Sequence, residues 1–410
     1  MRWFRSTALA AMAALLHACT ASSVAPATSP GTARETRAAV TILIGIDGFR
    51  ADYLDRGVTP TLSRLAAEGA HGAMRPSFPV KTFPNFYTLV TGLRPDRHGI
   101  VANRFEDPAR PGQRFTQASS EAWWWDQAEP IWVAAERAGI RSSILFWPGS
   151  SVAVHGVRPS DWRTFDMAVT SAERVDIVLD WLRRPARTRP RLVGVYFDTI
   201  DSAGHKLGPA ASELDRPLAE IDAQIGRLVR QLALLGQPAN LVIVADHGMG
   251  GSSPERRIRL DQMLPDGLYR VIEQGPYAAI EPAAGRDDEL AAVLLKPHPH
   301  MQCWRRNAIP VRLHYGTNPR TPAFLCLPEM GWMIATSPPA PEASRGEHGW
   351  DPHAPEMRAL FIAHGPSIAR IGPLPAFDNV DVYPLLRRLT GLSPAQGIDG
   401  NAATLARVAP

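Results

Sequence analysis

Three apolar runs in this sequence lead into acids, and histidines accompany two of them. The run 40–46 delivers Asp47, followed by Gly48. The run 192–197 leads to Asp201, with His205 four residues on, and 241–245 stops at Asp246-His247. Another histidine, His348, sits in the glycine-flanked stretch Arg345-Gly-Glu-His348-Gly-Trp350. Carboxylates with imidazoles form a divalent-metal ligand set, for which zinc is the usual ion. Six donors leave two tetrahedral ions short of a full set, and Thr82 is placed to supply a seventh. In Pro79-Val-Lys81-Thr82-Phe83-Pro84-Asn85 it stands at or just before a helix N-terminus, where backbone N–H groups and the helix dipole favour a developing anion. No histidine adjoins Thr82 in sequence, so a metal is the natural means of lowering its hydroxyl pKa.

Each residue also has a plainer role open to it. Asp47-Gly48 suits an ordinary turn, Asp201 a helix cap, His205 the surface, His348 a hydrogen bond within its turn, and Thr82 an N-cap. It is their joint placement at the mouths of successive strands that points to a site, because ligands of open α/β sheets bind at the carboxyl ends of the strands.

The elements that must position these residues alternate. Short β-branched or buried runs at 40–46, 141–146, 192–197, 241–245 and 359–363 read as strands. Helical spacing appears at 60–70, 83–92, 129–138, 172–182, 214–235 and 380–389. Strands alternating with helices predict an α/β fold, a doubly wound and largely parallel sheet flanked by helices. The Pro-rich stretch 253–344 reads as an irregular inserted subdomain, and no internal repeat is visible.

With 410 residues, 45% hydrophobic and 20% charged, the chain can bury a large core. Its net charge of +4 is mild and its cations are scattered, with no nucleic-acid-binding motif. Residues 1–19 form an export signal: a basic start, a short apolar stretch, then Leu16-His17-Ala18-Cys19, which resembles a lipobox in which Cys19 would be lipidated. Ordinary cleavage near Ala18 or Ala21 is the alternative. Residues 20–38, rich in Ser, Thr, Pro and Ala, read as a flexible linker to a catalytic domain at 39–408. The expected location is the periplasm, with a membrane anchor at Cys19; a monomer is the default. Cys303 and Cys326, the last two cysteines, are expected to be bridged in an oxidising compartment.

Asp47-Gly-Phe-Arg50, Lys81-Thr-Phe-Pro-Asn85, His98-Gly-Ile-Val-Ala-Asn103, Phe146-Trp-Pro-Gly-Ser150, Asp201-Ser-Ala-Gly-His205-Lys-Leu-Gly-Pro209, Asp246-His-Gly-Met249 and Glu347-His-Gly-Trp-Asp351 follow one another in order. Together they resemble the nucleotide pyrophosphatase/phosphodiesterase family of the alkaline phosphatase superfamily, over roughly 39–389. The resemblance implies zinc-dependent hydrolysis of nucleotide pyrophosphates and phosphodiesters through a covalent phospho-threonine intermediate. One zinc would take Asp201, His205 and His348. The other would take Asp47, Asp246 and His247, with Thr82 as nucleophile on it. It also implies that Asn103 holds a non-bridging phosphoryl oxygen, and that Phe83 and Phe165 sandwich a nucleotide base.

This chain departs from the family pattern in Arg104-Phe-Glu-Asp107, in Ile200 where a proline is common, and in the tract 296–341. These departures bear on substrate choice rather than on the ligands. Other readings of the same residues are a phosphomonoesterase or a lipid-headgroup phosphodiesterase of the superfamily. A sulfatase would need a Cys or Ser nucleophile in a setting Thr82 lacks. A catalytically silent surface binding protein is the reading from a different class.

Overall fold

A computed structural model describes residues 36–340 and 342–410. The export signal with Cys19 lies outside the described residues, as does the linker apart from its last three residues. Among the described residues no helix is long and apolar enough to cross a membrane. Arg37 and Ala38 already touch the domain, through Arg37 Nη1 to the Leu182 carbonyl and Gln237 Nε2 to the Ala38 carbonyl.

The framework is a nine-stranded sheet in the order Gly372–Pro373, Ala70–Arg75, Ala359–His364, Ala239–Val244, Val40–Ile46, Leu192–Phe197, Ser142–Leu145, Asp161–Arg163, with Phe377–Asp378 also on Ala70–Arg75. Within it Ala359–His364 alone runs against the others. This is the doubly wound, largely parallel α/β architecture that the alternation predicts. Every residue of Val40–Ile46 is buried, as an unbroken apolar run requires when helices cover both faces of a sheet. By their mutual packing the helices form two groups. Pro60–Glu68, Ser171–Arg183 and Thr199–Leu207 gather on Asp215–Leu235, while Thr82–Thr91 and Ile131–Arg137 gather on Val382–Thr390.

Ile46 pairs with Phe197, and Gly45 with Val244, so the three central strands end at one edge and release Asp47, Asp198 and Asp246 together. Expected and observed bounds differ mainly at element ends. The first helix stops at Glu68, because Ala70–Arg75 is a strand paired with Ala359–His364. The helix expected at 129–138 starts at Ile131, after Pro130.

The larger difference concerns 253–340, where regular elements stand within the stretch expected to be irregular. Four antiparallel strands stand in the order Tyr269–Glu273, Ala278–Pro282, Phe324–Pro328, Met301–Arg305, joined by the helix Asp287–Leu294 over a small core that includes Leu260, Ile280, Leu290 and Phe324. Its strands are short and prolines close two of them, so the pattern is hidden until distant partners pair. Cys303 and Cys326 are register partners on neighbouring strands and are disulfide-bonded, with Cα atoms 4.0 Å apart. Closing that loop contributes about 3 kcal/mol in the chain-entropy model. The Cys303→Ala/Cys326→Ala variant is therefore expected to unfold at a lower urea midpoint. Non-reducing mass spectrometry of the parent should find the bridge, and two free thiols would refute it.

Candidate active site

Gly48 lets the first two pieces of the site approach each other. It stands at φ +68°, and a Cβ there would lie 2.9 Å from the Asp201 Cα. Asp201 itself is not in a loop after its strand but on the helix Thr199–Leu207, so Asp201 and His205 share one helical face. The short antiparallel pair of Gly346–Glu347 with Gly250–Gly251 brings His348 back beside His247. Their rings stack with centroids 3.5 Å apart.

The six expected donors thus form two groups, Asp201 with His205 and His348, and Asp47 with Asp246 and His247. In the first, His205 Nε2 is 3.4 Å from Asp201 Oδ2, and His348 Nε2 is 3.7 Å from Asp201 Oδ1. In the second, His247 Nε2 lies 3.4 Å from Asp47 Oδ1 and 2.8 Å from Asp246 Oδ2. Ligand atoms about 2.0–2.2 Å from a tetrahedral ion stand roughly 3.4 Å from one another. Three of these four separations match that edge, and the fourth is shorter.

The hydrogen bonds fix the direction of each donor. His205 Nδ1 bonds the Gly346 carbonyl at 2.7 Å, His247 Nδ1 the Gly248 carbonyl at 2.9 Å, and His348 Nδ1 the Val80 carbonyl at 2.9 Å. A carbonyl only accepts, so the proton is assigned to Nδ1 and a lone pair to each Nε2. Facing those lone pairs, Asp47 Oδ1, Asp201 Oδ1 and Asp246 Oδ2 are buried without a hydrogen-bond partner. The 2.8 Å approach of His247 to Asp246 is accordingly not a hydrogen bond. Unprotonated nitrogens and orphaned carboxylate oxygens converging in this way repel one another unless a cation lies between them. The residues fit a divalent ion in each group.

Electrostatics agree. Burial, then the neighbouring Asp246 and Asp201 carboxylates, pushes the Asp47 carboxyl well above the usual range. Burial, then Asp201, does the same to Asp246. Burial, then its neighbours His247, Lys81 and His205, holds the His348 pKa well below its ordinary value, so the ring is neutral.

Thr82 is the first residue of the helix Thr82–Thr91; the N-cap position belongs to Lys81, so Thr82 is not the cap. Its Oγ1 lies 3.4 Å from His247 Nε2, against the Asp47 group. Asn103 Oδ1 accepts from the Phe83 N–H at 3.0 Å, which ties the Asn103 side chain to the residue after Thr82. Phe83 is half-buried, near Trp125 and Phe115. Phe165 is 44% exposed and meets Tyr196 edge-on at 5.8 Å.

Several supporting residues escaped the sequence reading. The Tyr196 hydroxyl, kept protonated by burial and the Asp47 charge, donates to Asp47 Oδ2 at 2.6 Å. Its signal was a lone hydroxyl in an otherwise apolar strand. Lys81 Nζ donates to the His348 carbonyl at 2.9 Å, so the two residues before Thr82 grip His348 from both sides. From the inserted subdomain, the Tyr315 hydroxyl bonds the Val101 carbonyl, and buried Arg320 bonds Asp107 and the Gly99 carbonyl. These contacts brace the segment that carries Asn103, and nothing local in sequence announces them.

Comparison with known proteins places this geometry. The profile of the type I phosphodiesterase / nucleotide pyrophosphatase family matches residues 41–351. An uncharacterised pyrophosphatase/phosphodiesterase of Schizosaccharomyces pombe is 38% identical over 88% of this chain and 78% of its own length. The bis(5'-adenosyl)-triphosphatase enpp4 of Xenopus laevis is 36% identical over 89% and 81%. The solved structure of human ectonucleotide pyrophosphatase/phosphodiesterase 5 superposes with a TM-score of 0.86 at 33% identity, covering 90% of this chain and 99% of that one. Its murine counterpart, an inactive threonine-to-alanine variant in complex with AMP, superposes with a TM-score of 0.87 at 31% identity, covering 91% and 100%. This chain belongs to the type I phosphodiesterase/nucleotide pyrophosphatase family and is an enzyme of that class.

Proposed function

We propose that this enzyme hydrolyses nucleotide pyrophosphates and phosphodiesters, with Thr82 as nucleophile and two zinc ions. The observation that supports the reading is that orphaned carboxylate oxygens and Nε2 atoms converge in two groups, with the Thr82 hydroxyl 3.4 Å from the His247 Nε2 of one of them. Asp47, Asp246 and His247 would hold one ion, and Asp201, His205 and His348 the other. Bound there, divalent ions would lower the hydroxyl pKa and offset charge on the phosphoryl and leaving oxygens. The Thr82 hydroxyl gives up its proton to solvent and Oγ1 attacks phosphorus in line; the bond to the leaving oxygen breaks and that oxygen is protonated from water, and a second water hydrolyses the phospho-threonine ester, restoring the hydroxyl. The Asn103 side-chain N–H group holds a non-bridging oxygen, its orientation set by the bond from Phe83 N–H to Oδ1.

Asn103 offers a neutral donor, which suits the single negative charge of a diester better than the additional charge of a monoester. Phe83 and Phe165 stack the base, a contribution on the order of 1–3 kcal/mol per base that tolerates any base identity. A thymidine monophosphate p-nitrophenyl ester is therefore expected to be used with higher kcat/KM than p-nitrophenyl phosphate. Phe83→Ala and Phe165→Ala should each weaken use of the nucleotide ester. If the monoester is the better substrate, or neither substitution matters, a phosphatase or lipid-headgroup role replaces this one. The ectonucleotide names of the relatives support export, and we place the protein in the periplasm with its lipid anchor at Cys19.

A further inference from the structure

Phe165 is well exposed yet held by several contacts. Its ring meets Phe146 edge-on at 5.4 Å and Tyr196 at 5.8 Å. Over the ring lies the guanidinium of Arg174, 5.6 Å from the centroid and 5.1 Å from that of Phe146. Arg174 is 2% exposed, and an arginine is seldom so deeply buried without a fixed task. Its Nη1 bonds Asp198 Oδ1 at 2.7 Å and the Tyr196 carbonyl at 3.0 Å, and its Nε bonds the Val169 carbonyl at 3.0 Å. It thereby ties the loop that carries Phe165 to the strand whose Tyr196 hydroxyl holds Asp47. Phe146 adopts φ +65°, a backbone conformation that a bulky residue takes only when its surroundings impose it.

With the Arg174 guanidinium over its ring and two aromatic rings set steeply against it, Phe165 is held in place while 44% of it stays open to a ligand. A planar guanidinium attracts the ring's quadrupole and stacks on it, which an ammonium group does less well. We propose that Arg174 is a positioning residue that holds Phe165 as a preformed wall for the base, and so sets the preference for nucleotide esters over simple phosphodiesters. The inference rests on the reading of Phe165 as a base-stacking residue.

The experiment compares kcat/KM on the thymidine monophosphate p-nitrophenyl ester with that on methyl p-nitrophenyl phosphate, a diester with no base. It uses the full chain carrying Arg174→Met, Phe165→Ala, or both. Arg174→Lys, which keeps a charge for Asp198, serves where Arg174→Met folds poorly. Arg174→Met is expected to lose about tenfold on the nucleotide ester, mainly through KM, and to stay within about twofold on the methyl ester. In the Phe165→Ala background it should lose nothing more. Equal losses on both esters, or a full additional loss in the Phe165→Ala background, would overturn the proposal and leave base stacking standing. A Phe165→Ala enzyme that uses the nucleotide ester as well as the parent does would remove the stacking reading together with the proposal.

Discussion

Thr82→Ala is expected to lower turnover on nucleotide esters by roughly 1,000-fold or more, since in the proposed mechanism it removes the group that bonds to phosphorus. The fold should survive. Thr82 caps nothing with its side chain, and the helix it begins is anchored by Asn85, whose amide bonds the Ser77, Pro79 and Lys81 carbonyls. Asp47, Asp246 and His247 remain in place in this variant, so metal content should be unchanged. Thermal unfolding, elemental analysis and single-turnover kinetics on one preparation make the test. Retention of more than about a tenth of the activity would point to a water nucleophile acting at the same metals.

Removing the metals is expected to abolish turnover and to destabilise the fold. Protein purified without chelator should carry close to two equivalents of zinc, given six carboxylate and imidazole donors in two groups. At free metal about 1,000-fold above Kd, each site contributes about 4 kcal/mol to the stability of the loaded protein. The loss has a definite pH dependence. Asp47 and Asp246 have pKa values raised in the metal-free fold, so they bind protons more tightly folded than unfolded. Their protonation favours folding, and that contribution fades as pH rises from the ordinary carboxylate value, about 3.9, through the raised one. His348, held low, works against folding as pH falls below its ordinary value of about 6.5. In the loaded protein protons compete with the metals for the same carboxylates and imidazoles. The difference in Tm between loaded and chelated protein should therefore narrow as pH is lowered from 8 to 5, measured by calorimetry. A metal-free protein with full activity, or a gap that widens in acid, would defeat the metal assignment.

Lowering pH should leave the outer support of the site in place. The Tyr196 phenol stays protonated and goes on donating to Asp47, and the imidazole bonds to the Gly346, Gly248 and Val80 carbonyls need only the Nδ1 proton. The acid sensitivity then belongs to the donors themselves rather than to the frame around them.

The central architecture was legible in the sequence because buried parallel strands need unbroken apolar runs. Val40–Ile46 and Leu192–Phe197 are such runs, and each leads toward an acid at the sheet edge where ligands bind. The six donors could be named for the same reason, since residue type and position at a strand end are local properties; their division into two groups followed only from the family resemblance. What only the tertiary structure decided depends on partners distant in the chain. The stretch 253–344 looked irregular because a strand such as Met301–Arg305 acquires its identity from Phe324–Pro328, not from its own period. Likewise His348 meets His247 only because two-residue strands nearly a hundred positions apart pair. The tautomer of each imidazole, the grip of Lys81 on the His348 carbonyl and the burial of Arg174 under Phe165 are set by hydrogen bonds and packing across the fold. A linear sequence names the groups able to make such contacts; which of them meet is decided by chain closure and exclusion of water, which act on the whole domain at once.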